Sequence, residues 1–320
     1  MTDTATKRQA LPPIAFRPAA EEDLGACAAI WRVAINDYIS RLAQPEIPDD
    51  LAAITRLYAH LHGTDPSRFL VATSADRIVA YAVAVVRERV WFLSMLFVLP
   101  EVQARGLGRE LLRRVLPAET DGLVRATGTD TAQPISNALY ASLGIVPRVP
   151  VFNLTGLPER PAAFGALPSG VAAVPFDEIA ASAGGAGHAE LATTIDGLDR
   201  EVNGFAHPHD HRYLRQESRR GWLYRGPDGV PLGYGYAAES GRLGPVCMRD
   251  AALLGPVLGH LTGAVEPRGA FSTWIPGLAD RALVPALQAG FRLEPFPVLL
   301  CWDEAPADFA RYLPISPGLL

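Results

Sequence analysis

Two patterns of apolar residues divide the chain into helices and strands. Apolar residues recur every three or four positions at 26–35 and 51–61, which predicts two helices near the N-terminus. The next stretch, RFLVATSADRIVAYAVAVVRERVWFLSMLFVLP, is rich in β-branched and aromatic residues and contains turn signals at Ala75–Asp76 and at Arg87–Arg89. This pattern predicts an antiparallel meander of three strands.

A glycine-containing loop and an amphipathic helix follow the meander. The apolar residues of 107–115 fall on one helical face and the charged residues on the other. A strand at 123–127, a helix from Pro134 to Leu143 that ends at Gly144, and a strand at 149–154 complete the unit. The prediction is an α+β fold in which helices flank a mostly antiparallel central sheet.

The second half of the chain repeats this order of elements. A shift of 152 residues places the strands at 69–86 on 221–238, and a shift of 146 places the helix at 107–115 on 253–261. Two unrelated α+β domains are the alternative, but the matching order of elements favours a duplicated fold. Residues 156–170, GLPERPAAFGALPSG, show neither period and predict a linker. We therefore predict a flexible N-terminus at 1–13, a first domain at 14–155, and a second domain at 171–320.

Composition narrows the range of partners and compartments. A chain of 320 residues with 49% hydrophobic content can bury two cores, and a net charge of -5 offers no basic surface for nucleic acid or a membrane. The three cysteines are far apart, which suits a reducing compartment and gives no zinc-ligand spacing. The start, MTDTATKRQALPP, lacks the apolar core of a signal peptide, and no apolar run is long enough to cross a membrane. We expect a cytoplasmic protein.

The junction FVLPEVQARGLGRELLRRV carries the strongest chemical signal. Backbone N–H groups at a helix N-terminus lack intrahelical partners and favour an anion, and glycines let that anion approach closely. Gly106 and Gly108 lie where such a loop enters the helix, with Arg105 and Arg109 beside them. An ordinary tight turn is the alternative for a lone G-x-G.

At this junction the chain resembles the GNAT superfamily of acyl-CoA-dependent N-acetyltransferases. The family's pyrophosphate loop reads V-x-P-x-x-[QR]-x-x-G-x-G/A, and this sequence fits every position with Val98, Pro100, Gln103, Gly106 and Gly108. The surrounding order of elements resembles the family's across roughly residues 14–154.

A second family signature, N-x-x-A-x-x-L-Y followed by glycine, resembles QPISNALYASLG. The sequence supplies Leu139, Tyr140 and Gly144 in place, whereas Gln133 stands where Asn is usual and Ser136 where Ala is usual.

The resemblance implies an enzyme that transfers an acetyl group from acetyl-CoA to a small primary amine. It implies that Tyr140 is the general acid for the departing thiolate, and that no metal takes part. The cofactor contacts that it implies are Phe97, Val98, Gln103, Ala104, Arg105, Gly106, Leu107, Gly108, Arg109 and Gln133. The alternative function is a non-catalytic acyl-CoA sensor or structural protein.

The general base and the acceptor pocket stay open at this point. A water chain, Glu88, Asp130 or His62 are candidate bases, although each of the three side chains also fits a solvated surface. Aromatic residues of the early helices either line the acceptor pocket or belong to the core: Trp31, Tyr38 and Tyr58.

The second half resembles a degenerate GNAT domain. Residues Gln103, Gly106, Gly108 and Tyr140 correspond to Arg249, Ala252, Leu254 and Ala286. A leucine in place of Gly108 obstructs close approach to phosphate, and alanine has no proton to donate. We expect this half to cover the first domain, shape the acceptor pocket or mediate a homodimer.

Two further clusters in the second half have a structural interpretation. GFAHPHDHRYL groups His207, His209, Asp210 and His211, but Pro208 stiffens the segment and alternate residues diverge, so we expect loop or interdomain contacts rather than a metal site. The alternating set Trp222, Tyr224, Tyr234 and Tyr236 is expected to pack in a sheet rather than to form a ligand cage.

Overall fold

The computed structural model describes residues 13–118, 122–182 and 186–320, so the predicted flexible N-terminus, apart from Pro13, lies outside the described residues. Helices and strands alternate along the chain in a mixed α+β arrangement. In chain order they are β1 (Ile14–Pro18), α1 (Leu24–Ile39), α2 (Ala52–Thr64), β2 (Phe69–Ser74), β3 (Arg77–Arg87), β4 (Val90–Val98), α3 (Leu107–Val115), β5 (Val124–Asp130), α4 (Pro134–Ala141), β6 (Val146–Gly156), β7 (Ala172–Pro175), α5 (Phe176–Ala181), α6 (Ala186–Val202), α7 (Pro208–Gln216), β8 (Arg220–Arg225), β9 (Pro231–Ala237), β10 (Leu243–Met248), α8 (Leu254–Ala264), β11 (Phe271–Pro276), α9 (Asp280–Ala289), β12 (Arg292–Leu293), β13 (Val298–Trp302) and β14 (Tyr312–Leu313).

The chain forms two compact units. Among the described residues, the first contains 13–85 and 93–118, and the second contains 86–92, 122–182 and 186–320. In the first unit the strand order is β1-β2-β3-β4, and β1 and β3 both run antiparallel to β2. The turn between β2 and β3 passes through Ala75, which has a positive φ of 51°. The three predicted strands and the two early helices are therefore all present.

The second unit contains a sheet in which strands from both halves of the sequence alternate. Its strand order is β5-β13-β6-β11. Strand β13 runs antiparallel to both of its neighbours, with Leu300 opposite Gly128 of β5 and opposite Val149 of β6. A strand from near the C-terminus thus separates two strands that belong to the first half of the sequence.

A five-stranded antiparallel sheet forms the rest of the second unit. Its order is β14-β10-β9-β8-β7. A buried apolar cluster on this sheet includes Tyr224 of β8, Val246 of β10 and Leu258 of α8. Phe164, from the predicted linker, belongs to the same cluster and is only 2% exposed. The segment 156–170 therefore contributes to a core.

Both halves share the element order that the sequence predicts. Strands β2, β3 and β4, a short helical turn and α3 have counterparts in β8, β9, β10, a second short turn and α8. Gly144 and Gly290, which follow α4 and α9, both have positive φ, as expected for glycines that end helices. The structure is an α+β fold with mostly antiparallel sheets flanked by helices, which confirms the predicted fold class. The predicted domain boundaries stay a prediction, because the compact units cut across both halves.

In the part of the chain that the structure describes, no helix has both the length and the apolar character needed to cross a membrane.

Candidate active site

The loop between β4 and α3 is a tight turn that ends at a helix N-terminus. A short 3-10 helix at Pro100–Val102 follows β4, and Gly106 is the residue that precedes the first turn of α3. Ala104 and Gly106 have φ values of 60° and 81°. A left-handed backbone costs glycine little, so Gly106 suits this position. Gly108 lies inside α3 and has no positive φ.

Gln103 ties this loop to the end of β4. Its side-chain Nε2 donates a hydrogen bond to the carbonyl oxygen of Val98 at 3.0 Å. The side-chain amide that the resemblance assigns to the cofactor therefore supports the loop itself. This bond ties the loop to Val98, the last residue of β4.

The first turn of α3 presents N–H groups that have no intrahelical partner. The Glu110 N–H donates to the Gly106 carbonyl at 3.0 Å, so the amides of Leu107, Gly108 and Arg109 precede the first intrahelical bond. A Cβ atom built on Gly108 would meet only Val98 Cγ2 at 3.7 Å and Leu96 Cδ2 at 4.0 Å. The glycine is therefore not required by packing, and its small size leaves the backbone of this turn open to close approach.

The charges around the helix N-terminus favour an anion. Glu110, an acidic residue of the first turn, pairs with Arg113 at 2.9 Å and with Arg114 at 2.8 Å. No carboxylate within the described ranges pairs with Arg109, which is exposed. Arg109 therefore remains available to a phosphate, and the helix dipole acts in the same direction.

An aromatic column fixes the end of β4. Phe97 stacks on Tyr81 with ring centroids 5.8 Å apart, and Tyr81 stacks on Phe69 at 5.9 Å. The hydroxyls of Tyr58 and Tyr81 share a short hydrogen bond, and both side chains are fully buried. Tyr58 is thus a core residue, whereas the other two aromatic candidates, Trp31 and Tyr38, are half-buried.

Tyr140 lies on α4, one residue before the helix ends. The residue is 5% exposed, and burial raises the pKa of its phenol above the ordinary value. Its hydroxyl makes no hydrogen bond to any residue of the described chain. Tyr140 therefore keeps its proton at neutral pH and has that proton free to donate.

Gln133 is the residue at the N-terminus of α4. Its backbone carbonyl accepts hydrogen bonds from the Asn137 side chain at 2.8 Å and the Ser136 hydroxyl at 3.1 Å. The Ser136 hydroxyl also lies 2.9 Å from that of Thr129 on β5. Ser136, which replaces the family's usual alanine, thus fastens α4 to the neighbouring strand.

Each candidate base has a structural contact. Glu88 bonds to Arg200 at 2.7 Å and accepts the Ala206 N–H at 3.0 Å; burial opposes ionisation, but these bonds prevail and lower the pKa of Glu88. His62 Nε2 lies 3.0 Å from the Ala19 carbonyl oxygen, and Asp130 accepts the Ala132 N–H at 2.8 Å. None of the three side chains is singled out as the base.

In the second half, protein groups occupy the corresponding loop. The carboxylate of Asp250 accepts the Ala252 N–H at 2.9 Å, and Arg249 bonds to Glu201 at 2.7 Å. Leu254, which corresponds to Gly108, and Ala286, which corresponds to Tyr140, are both buried. An anion at this loop would meet an existing carboxylate and a bulky side chain, which agrees with a degenerate second half.

The histidine cluster differs from the predicted loop. Pro208 is the first residue of α7, so His207 directly precedes this helix and His211 lies in its first turn; both histidines are buried. Proline is favoured at that first position because its missing N–H would have no partner there. His209 is exposed, whereas Asp210 is buried in an ion pair with Arg87 at 2.7 Å.

Asp199 of α6 contacts both buried histidines. The sequence analysis did not identify this residue. Its Oδ2 lies 2.9 Å from His211 Nε2 and 3.3 Å from His207 Nε2. The spacing of four residues between His207 and His211 was the available signal for their proximity. Asp199 lies on α6, and no local sequence pattern links it to the histidines. The four aromatic residues of the second half are buried in the sheet, and the hydroxyl of Tyr234 also donates to Asp199 at 2.6 Å.

Residues 29–145 match the family model of the acetyltransferase (GNAT) family. This range contains both the loop after β4 and helix α4. No curated protein matches the chain in sequence.

Several solved structures are similar to the chain over nearly its whole length. A putative acetyltransferase from Pyrococcus horikoshii has a TM-score of 0.71 and 15% identity, with 100% of both chains covered. A GCN5-related N-acetyltransferase from Sphaerobacter thermophilus has a TM-score of 0.59 and 17% identity, with 93% of this chain and 98% of that chain covered. A tandem GNAT protein from the clavulanic acid biosynthesis pathway has a TM-score of 0.55 and 16% identity, with 92% and 99% covered. At these identities the likeness concerns the fold.

Proposed function

Because residues 29–145 belong to the acetyltransferase (GNAT) family and the chain has a tandem GNAT fold, we propose that it is an N-acetyltransferase. The proposed reaction moves an acetyl group from acetyl-CoA to the primary amine of a small acceptor. The family supports acyl transfer from CoA in general. The acetyl group, the amine and the small size of the acceptor belong to the proposal.

The observation that carries this proposal is the N-terminus of α3. Three backbone N–H groups precede the first intrahelical bond there, Gly108 leaves the approach open, and Arg109 is exposed beside them. These features suit the pyrophosphate of a CoA thioester, since a helix N-terminus favours an anion and glycine lets it come close. In the matching loop of the second half, Leu254 stands in place of Gly108, and the Asp250 carboxylate already accepts the Ala252 N–H.

The chemistry assigned to the residues is general acid catalysis of aminolysis. A neutral amine attacks the thioester carbonyl, a C–N bond forms, and the C–S bond breaks as the oxyanion collapses. Tyr140 would give its proton to the departing thiolate, and the raised pKa of the phenol keeps that proton in place before the reaction. The proton lost by the amine goes to water in this proposal, because Glu88 is engaged by Arg200.

A non-catalytic acyl-CoA-binding protein is the competing proposal. It would use the same loop but would not need a phenol with a free proton on α4. An enzyme needs such a phenol, and Tyr140 suits this role because its hydroxyl bonds to no residue of the described ranges. This observation favours the enzyme.

The test is a screen of primary amines, including polyamines, amino sugars and amino acids, for CoA release from acetyl-CoA. Released thiol is measured with a chromogenic disulfide, and acetylated product is identified by mass spectrometry. The Gly108→Leu variant serves as the control, because it should lose turnover with every amine that the native chain accepts. Tight binding of acetyl-CoA without turnover across the panel would favour the sensor instead.

A further inference from the structure

A buried group of nitrogen and oxygen atoms lies between α6 and α7 in the second unit. Asp199, His207 and His211 are each less than 4% exposed, and one ligand atom from each lies within 4.8 Å of the other two. The Asp199 Oδ2 atom is 3.3 Å from His207 Nε2 and 2.9 Å from His211 Nε2. Two imidazoles and a carboxylate thus converge in a region that solvent does not reach.

Two tyrosine hydroxyls make hydrogen bonds to this group. The Tyr234 hydroxyl donates to Asp199 Oδ1 at 2.6 Å, and the Tyr236 hydroxyl lies 2.8 Å from His211 Nδ1. Both contacts leave Asp199 Oδ2 and His211 Nε2, the atoms that converge with His207, to the inner side of the group. Residues that bind a metal are typically oriented by such outer hydrogen bonds.

The buried charges require one more cation. Asp199 and Asp210 carry two negative charges, and Arg87 carries one positive charge, with all three side chains buried. Arg87 is engaged by Asp210, with which it makes hydrogen bonds of 2.7 and 2.9 Å. With both imidazoles neutral, one negative charge is left uncompensated at Asp199. An isolated buried carboxylate is costly, so a proton or a metal ion has to balance it.

Unsatisfied polar atoms show where a proton or a metal ion would act. Both ring nitrogens of His207 are buried without a hydrogen bond, although Nε2 is within ion-pair distance of Asp199. The Asn203 Oδ1 and Tyr312 hydroxyl are also unsatisfied, so this cluster holds four of the nine such atoms found among the described residues. A protonated His207 would face the carboxylates of Asp199 at 3.3 Å and of Asp210 at 3.8 Å. Burial alone would lower the pKa of His207, but Asp199 prevails and raises it, so a proton on His207 is the alternative way to balance Asp199. A metal ion needs only the lone pair on Nε2.

We propose that Asp199, His207 and His211 bind a divalent transition-metal ion of the zinc class. Ligands at about 2.0–2.1 Å around a tetrahedral zinc ion lie roughly 3.3 Å from each other. The two distances from Asp199 Oδ2, 2.9 and 3.3 Å, are close to that spacing. The mixture of two imidazoles and a carboxylate is borderline in softness and suits zinc, cobalt or ferrous iron. The ion would join α6 to α7 and neutralise Asp199.

The first test measures metal binding by the full chain without a polyhistidine tag. The protein is stripped with a chelator, exposed to zinc chloride, desalted and analysed by inductively coupled plasma mass spectrometry. The native chain should retain about one zinc ion per molecule. His207→Gln should lower zinc affinity about 100-fold or more, because it removes a direct ligand. His209→Gln is the matched control: the same substitution two residues further along the chain, at an exposed residue, should leave zinc content unchanged.

A second measurement needs no variant and therefore holds even if His207→Gln fails to fold. The X-ray absorption spectrum of the zinc-loaded native chain should show imidazole scattering from two histidines together with oxygen ligands. Zinc should also raise the thermal unfolding midpoint of the native chain and of His209→Gln, since ligand binding stabilises the folded state. A native chain that retains neither zinc nor cobalt would overturn the proposal, and a proton would then balance Asp199. Equal zinc loss in both variants, or a spectrum without imidazoles, would also overturn it.

Discussion

The guanidinium of Arg87 and the carboxylate of Asp210 form a two-point ion pair, with Nε–Oδ2 and Nη2–Oδ1 distances of 2.7 and 2.9 Å. Both side chains are buried, at 7% and 1% exposure. Arg87 ends β3 and Asp210 lies on α7, so a residue from each half of the sequence takes part. The turn that follows Arg87 is held further by an ion pair between Glu88 and Arg200. It is also held by a hydrogen bond from the Arg89 guanidinium to the Gly204 carbonyl oxygen at 3.0 Å.

We predict that Arg87→Ala destabilises the second unit by about 3–5 kcal/mol, because it leaves the buried Asp210 carboxylate without its counter-charge. Arg87→Lys should lie between the alanine variant and the native chain, since an ammonium cannot reproduce the two-point contact. The measurement is urea unfolding followed by circular dichroism. Arg113→Ala, which removes an exposed ion pair with Glu110, is the control and should change stability little. Equal small losses for the two alanine variants would contradict a stabilising role for the buried pair.

The position of Asp303 gives a prediction about acid stability. Asp303 follows β13 and accepts hydrogen bonds from the Arg125 N–H at 2.9 Å and from its guanidinium at 2.6 Å. Partial burial alone would raise the pKa of this carboxyl, but the bonds from Arg125 prevail and hold the pKa below its ordinary value. Ionised Asp303 therefore stabilises the fold above the pKa of the unfolded chain, and this contribution is lost as pH falls through the lower, folded pKa.

Asp303→Asn should accordingly unfold at a lower temperature than the native chain at pH 7. The difference between the two midpoints should shrink as pH falls below about 4, where the native carboxyl becomes protonated. The measurement is a series of thermal melts from acidic to neutral pH. A midpoint difference that stays constant over that range would show that the charge of Asp303 does not contribute.

The loop after β4 could be predicted because its structure is determined locally. Gly106 adopts the left-handed conformation that favours glycine, and the apolar face of α3 appears directly in the sequence. The fold class was predictable for the same reason, since the element order repeats in both halves. The role of Gln103 could not be predicted, because nothing in the motif indicates that its side-chain amide donates a hydrogen bond to Val98.

Contacts between distant residues could not be predicted. A strand's pattern of apolar residues does not specify its neighbours, so the insertion of β13 between β5 and β6 had no signal in the sequence. Asp199 meets His207 and His211 only after α6 and α7 have packed. The histidines themselves were misplaced because Pro208 was interpreted as part of a loop, whereas it begins a helix that brings residues four apart together.

For the cofactor loop we predict that Gly108→Leu severely weakens acetyl-CoA binding and leaves the fold largely intact. Gly108 lies in the first turn of α3, where leucine has good helix propensity, and a Cβ atom there meets only ordinary contacts. The loss should therefore come from blocked approach to the backbone N–H groups. Calorimetric titration with acetyl-CoA measures the affinity, and circular dichroism checks the fold.

Gly197→Leu provides the matched control for that variant. Gly197 lies in α6 with open space around its Cβ position, so the same substitution should leave acetyl-CoA affinity unchanged. Gly108→Ala should fall between the native chain and Gly108→Leu. Unchanged acetyl-CoA affinity in a folded Gly108→Leu protein would remove this loop from the binding site.

Tyr140 separates the proposed enzyme from a binding protein. If its phenol protonates the departing thiolate, Tyr140→Phe keeps the ring and its packing but removes the transferable proton. The hydroxyl bonds to no other residue in the described chain, so its removal should cost little stability. General acid catalysis typically contributes about 100-fold or more, so the rate of the chemical step should fall by at least roughly that factor. Acetyl-CoA affinity should stay nearly unchanged.

The measurement for Tyr140→Phe is single-turnover thiol release at saturating acetyl-CoA, with an amine that the native chain accepts. Single turnover is needed because slow product release would hide a change in the chemical step. A tyrosine that only packs predicts a rate within a few-fold of the native value and, at most, a small drop in the unfolding midpoint. Tyr58→Phe is a suitable control, since its buried hydroxyl bonds to Tyr81 and should affect stability rather than the rate of thiol release. Near-equal single-turnover rates for Tyr140→Phe and the native chain would therefore refute the acid role, whereas a selective loss in Tyr140→Phe alone would assign the proton to its phenol.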